Sequence, residues 1–119
     1  HSHAAPFGGL LKELKGHKAS LECLVEKDGL MLYIHDGCAE KNIRISQHQV
    51  DAVVVLGDGS EKQLSFSAIA SELSGDTVGN ASSFQNQQDG VKFEAVQKIT
   101  VKEIEIQGIL YKDVEFKVK

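Results

Sequence analysis

The chain has 119 residues, 41% hydrophobic and 25% charged, with a formal net charge of -4. That length suits one domain and is short for two. A net-negative chain whose only arginine is Arg44 lacks the concentrated basic surface that phosphate binding needs, which argues against a nucleic-acid partner. Its longest strongly apolar run, Val53-Val54-Val55-Leu56, is far too short for membrane insertion as a helix.

The first nine residues, His1-Ser2-His3-Ala4-Ala5-Pro6-Phe7-Gly8-Gly9, read as a histidine-containing tail over 1–9 ahead of a single β domain over 10–119. With His1 as the mature terminus, an amine, two imidazoles and the first amides lie close together. A free amine with a third-position histidine chelates Cu(II) or Ni(II), because deprotonated amide nitrogens complete a square plane. His17, between Gly16 and Lys18, is a further ligand candidate for the tail or else a solvated loop residue. The chain begins with His rather than Met, so a removed signal peptide or an excised fragment is implied. The signal peptide would mean an exported, periplasmic setting.

Strand and turn signals dominate the rest. Leu10 to Lys15 reads as an edge strand crowded by glycines. Ala19, Leu21, Cys23 and Val25 alternate with Ser20, Glu22, Leu24 and Glu26, a period of two. After Lys27-Asp28-Gly29 the same period returns, with Leu30, Leu32 and Ile34 against Met31, Tyr33 and His35. Asp-Gly between alternating runs signals a hairpin, because the turn needs positive φ. The grammar repeats at Val53–Leu56, Gly57-Asp58-Gly59-Ser60 and Gln63–Ala68. It repeats again at Ile104–Ile106, Gln107-Gly108 and Ile109–Val118. The expected fold is all-β, an antiparallel immunoglobulin-like β-sandwich of about seven to eight strands.

Two stretches break the pattern. Ser71 to Gly90 is polar and small, and reads as a long connection with one short strand near Ala81–Gln85; such connections are often functional. Gly37 to Gln49 is also irregular, with a strand at Ile43–Ile45. Asn80-Ala81-Ser82 matches a glycosylation acceptor. His35 and Cys38 stand three apart on a turn, a pairing suited to Zn(II) or Cu(I) but lacking a second pair. His48 reads as exposed. Cys23 falls on an apolar face; a tight Asp28-Gly29 turn sets Tyr33 or Ile34 opposite it, so a bridge to Cys38 needs the chain to fold back. The sequence leaves that bridge open. It contains no Gly-x-Ser-x-Gly elbow, no phosphate-binding glycine loop, no His-Glu-x-x-His and no Cys-x-x-Cys, so a non-enzymatic role is expected.

The tail, the Leu24–Gly37 hairpin, the Val53–Leu64 hairpin and Lys92-Phe93-Glu94-Ala95-Val96 before a final hairpin together resemble small bacterial periplasmic domains. Those domains open with histidines and a Pro-His-Gly-Gly element and accompany heavy-metal efflux systems. The resemblance implies a β-sandwich and periplasmic metal handling with Cu(II), Ni(II) or Zn(II), through His1, His3 and His17, beside an efflux-system protein partner. The family's motif histidine corresponds to Phe7 here. Metal would then rest on His1 and His3. The alternative expectation is a metal-free structural or protein-interaction module that uses strand edges or the Ser71–Gly90 connection.

Overall fold

The computed structural model describes residues 5–27, 29–86 and 93–118. Eight strands follow in chain order: β1 (Leu10–Glu13), β2 (Ala19–Glu26), β3 (Gly29–Asp36), β4 (Gln49–Leu56), β5 (Glu61–Ala68), β6 (Ser83–Asn86), β7 (Val96–Ile106) and β8 (Ile109–Lys117). Among the described residues there is no α-helix, only a 3-10 turn at Phe93–Ala95. Every pairing is antiparallel.

The all-β expectation holds, with a difference in how the strands are shared. They form one sheet in the order β1-β2-β3-β6-β5-β4-β7-β8 instead of two stacked sheets. The reason is β6, which bonds to β3 on one side and β5 on the other and so joins the two hairpin groups. The sheet curls until β1 and β8 face each other across a shallow groove lined by Leu10, Leu11, Lys12, Glu115, Phe116 and Lys117. No ladder joins those two edges among the described residues, so the barrel is nearly closed.

The period of two sets the core. Leu21 and Cys23 of β2, Leu30, Leu32 and Ile34 of β3, and Val50, Ala52 and Val54 of β4 all point inward and are buried. Phe66, Phe84 and Phe93 are the largest fully buried side chains, each contributing about 2–3 kcal/mol of burial. Val114 and Phe116 close the core from β8, and Val118 packs partly against it. The β2–β3 hairpin puts Leu32 opposite Cys23, one position earlier than expected.

Both irregular stretches are ordered by single bridges. His35 pairs with Asn42 and Ile45 with Ala81, which sews the segment after β3 onto the start of β6. The expected strand near Ala81–Gln85 is β6, shifted to Ser83–Asn86, and residues 87–90 of that connection lie outside the described residues. Residues 71–80 fold back on themselves through Ser71–Asp76 and Thr77–Asn80 bridges.

Candidate functional site

The unusual chemistry lies on the outside of the barrel. Alternation sends Ser20 and Glu22 of β2, and Tyr33 and His35 of β3, to the outer face. Outer-face polar residues of a small barrel normally meet water. Here Glu22 is 0% exposed and His35 1% exposed. The cover is the N-terminal segment 5–9, which crosses this face before entering β1.

Glu22 holds that segment by its main chain. Its carboxylate accepts the Phe7 N–H at 3.0 Å through Oε2 and at 3.2 Å through Oε1. Oε2 also accepts the Gly9 N–H at 2.7 Å. Gly8 turns between them at φ 79°, and its N–H donates to Ala5 O. Glycine at position 9 is a steric requirement: an added Cβ would sit 2.6 Å from Cys23 O. The Phe7 ring then stacks on Tyr33 at 4.1 Å between centroids and on His35 at 5.8 Å. So the Pro-Phe-Gly-Gly run is a strap. Phe7 supplies the lid, and the glycines bring main-chain donors to the carboxylate.

A polar relay runs from the strap along the outer face to Arg44. Glu22 Oε1 accepts from His35 Nε2 at 2.9 Å, and His35 Nδ1 lies 3.1 Å from Asn42 Oδ1. Asn42 Nδ2 donates to Ser82 Oγ at 3.5 Å, and the Ser82 hydroxyl donates to Asp76 Oδ2 at 2.9 Å. Asp76 can only accept, which leaves Ser82 to accept from the Asn42 amide and turns Asn42 Oδ1 toward His35. Both imidazole nitrogens therefore lie against side-chain oxygens, Glu22 Oε1 on one side and Asn42 Oδ1 on the other. Arg44 ends the relay, donating through Nε to Asp76 Oδ1 at 2.7 Å and also to Ser74 O.

The surroundings respond to these charges. Burial raises the Tyr33 phenol above its usual range, and the charges of Glu26 and Glu22 add to the effect. Burial also works against Asp76 ionising, but the Ser82 N–H and hydroxyl and Arg44 overcome it and hold the carboxyl below its ordinary value. Ser20 is left out of this network. It faces His35 directly across the hairpin, is 0% exposed, and its Oγ has no hydrogen-bond partner among the described residues.

The expected ligand residues fall elsewhere. His1 and His3 lie outside the described residues. His17 stands on the exposed β1–β2 turn in a left-handed conformation, φ 58°, with its Nδ1 3.6 Å from Glu13 Oε2. His35 and Cys38 do not act as a pair: His35 is buried with both ring nitrogens engaged, whereas Cys38 is exposed. Both cysteines are free thiols. His48 is exposed, as expected. In the glycosylation-like triplet, the Ser82 hydroxyl is buried and committed to Asp76. Among the described residues no three metal-ligating side chains converge.

Sequence reasoning missed Glu22, which figured only as one of the residues alternating with the apolar face of its strand. A signal was present: the Asp28-Gly29 register places Glu22 and His35 on one face, close enough to meet diagonally. The covering strap carried no such signal. The chain shows no significant similarity to any protein-family model, curated protein or solved structure, so its functional reading rests on this geometry and on the sequence.

Proposed function

We propose that the chain is a non-catalytic, exported metal-handling accessory: a β-barrel platform presenting an N-terminal histidine segment to Cu(II), Ni(II) or Zn(II) in company with heavy-metal efflux. The observation supporting this reading is the Glu22 clasp on Phe7 and Gly9. A free tail must lose conformational freedom to chelate an ion, at about 1–2 kcal/mol per residue ordered. Tying down residues 5–9 removes part of that cost for His3, which lies just ahead of them in the chain. His17, solvent-exposed with its Nδ1 3.6 Å from Glu13 Oε2, supplies the third imidazole of the set.

A metal-free interaction module is the second reading, and a separate observation favours it. Leu73 is 102% exposed and Val78 55% exposed on the 71–80 loop, which Arg44 pins through Asp76 and Ser74. Apolar side chains held outward on a fixed loop suit a protein contact.

Calorimetric titration of Cu(II), Ni(II) and Zn(II) separates the two readings. The metal reading expects one-to-one binding by the wild-type chain and its loss in the His1→Ala/His3→Ala variant. Binding that survives the double substitution moves the site to His17. No binding by the wild type removes the metal reading and leaves the interaction module.

A further inference from the structure

We propose that the outer-face pocket around Glu22, Tyr33 and His35 is a recognition site for an aromatic–Gly–Gly peptide segment, self-occupied by residues 5–9 and open to such a segment from a partner protein. Its walls belong to β2, β3 and the segment through Asn42, all outside the strap. Its contacts with the strap are those of a peptide site. One carboxylate takes two main-chain N–H groups two residues apart, and two rings receive one aromatic side chain.

The selectivity can be read from the strap itself. The aromatic position is set by the 4.1 Å stack on Tyr33. The next residue adopts φ 79°, where glycine has no Cβ penalty. The third must be glycine, since any Cβ meets Cys23 O at 2.6 Å. The strap reaches the carboxylate through main-chain donors, so a segment from any protein with this pattern meets the same acceptors.

Two observations make the resident segment replaceable. Phe7 remains 48% exposed while stacked, so an incoming ring can approach from solvent. The strap also leaves Ser20 Oγ, buried on the same face and opposite His35, without a partner. A buried hydroxyl left unpaired costs about 1–3 kcal/mol. A segment that supplied a polar group there would therefore satisfy this pocket more fully than residues 5–9 do. This inference does not depend on metal binding.

The test uses the full chain and a fluorescent peptide, acetyl-Ala-Pro-Phe-Gly-Gly-amide carrying a C-terminal dye. Gly9→Val evicts the strap, and loss of the Phe7–Tyr33 ring-current shift in NMR confirms that the pocket is empty. Saturable peptide binding to the variant is expected, with about tenfold or weaker binding to wild type, where the tethered segment competes at high effective concentration. Peptides with Phe replaced by Ala, or with the last Gly replaced by Ala, should not bind. A folded Gly9→Val chain that ignores the peptide, or binds all three peptides alike, overturns the proposal. Should Gly9→Val fail to fold, Phe7→Ala removes the lid ring instead and is held to the same outcomes.

Discussion

Glu22 and His35 are not cross-strand partners. The register sets Glu22 opposite Tyr33 and His35 opposite Ser20, and the two side chains meet diagonally at 2.9 Å on the outer face of the barrel. They are buried because the N-terminal strap lies over them. That turns an exposed-looking hairpin face into a covered hydrogen-bonded pair, and it ties the amino-terminal segment to the barrel wall.

Removing one partner of such a pair is expected to cost more than removing both. Glu22→Ala leaves a buried imidazole and two strap N–H groups without their acceptor, a loss of about 3–5 kcal/mol. Glu22→Leu/His35→Leu should lose clearly less, since the strap N–H groups still lose their acceptor but no imidazole is left buried without its partner. Urea unfolding at neutral pH measures both. A Glu22→Ala chain within about 1 kcal/mol of wild type would mean that the pair is solvated.

The meeting of the β1–β2 turn with the segment after β3 is steric and intolerant. An ideal Cβ on Gly37 would lie 1.9 Å from His17 O, a main-chain atom that cannot rotate aside. Gly37→Ala should therefore destabilise by about 3 kcal/mol or more. His17→Gly should do the opposite and add about 1 kcal/mol, because it relieves a left-handed residue at φ 58°. Thermal melts of the two variants check the opposite signs. If His17 joins a metal set, the stabilised His17→Gly chain also loses affinity in the titration.

Asp76 predicts a specific acid sensitivity. Its folded carboxyl titrates below its ordinary value despite burial, through Ser82 and Arg44. A depressed folded pKa contributes stability that is present above the unfolded value, about 3.9, and is lost as pH falls through the folded value. The wild type should therefore lose this contribution below about pH 4, while Asp76→Asn, lacking it throughout, shows a smaller drop. Urea midpoints followed from pH 7 down to about pH 2, through the unfolded value and on toward the depressed folded one, give the comparison. Equal drops in the two proteins would remove Asp76 from the acid response.

The thiols should separate cleanly. Burial, with the neighbouring Glu22 charge adding to it, pushes Cys23 up to about 12. Cys38 is exposed on the loop after β3. A thiol-reactive chromogenic disulfide should label Cys38 alone in the native chain and both cysteines in denaturant. Rapid labelling of both natively would show that the β2 wall opens.

Much of the architecture was legible as sequence. The Asp28-Gly29, Gly57–Ser60 and Gln107-Gly108 turns flank alternating runs, and each corresponds to a hairpin in the barrel. The inward Leu21, Cys23, Leu32 and Ile34 follow from the period of two. The single sheet was not legible. It depends on the four-residue β6 bonding to two distant strands, a non-local choice that no local pattern encodes. The Arg44–Asp76 tie, which orders the loop around Leu73, also joins residues 32 apart in the chain.

By itself the sequence determined the strand-rich class, the hairpin turns and the alternation of core and surface, because these arise from turn chemistry and side-chain period among near neighbours. Only the tertiary structure decided which outer-face residues would meet water. Phe7, Gly8 and Gly9 read as a loose glycine-rich tail until the fold brings Glu22 under their amides and Tyr33 and His35 under the ring. The physical reason is that a buried carboxylate needs hydrogen-bond donors in place of water. Here, beside His35, those donors are main-chain N–H groups of Phe7 and Gly9, which carry no side-chain signature in the sequence.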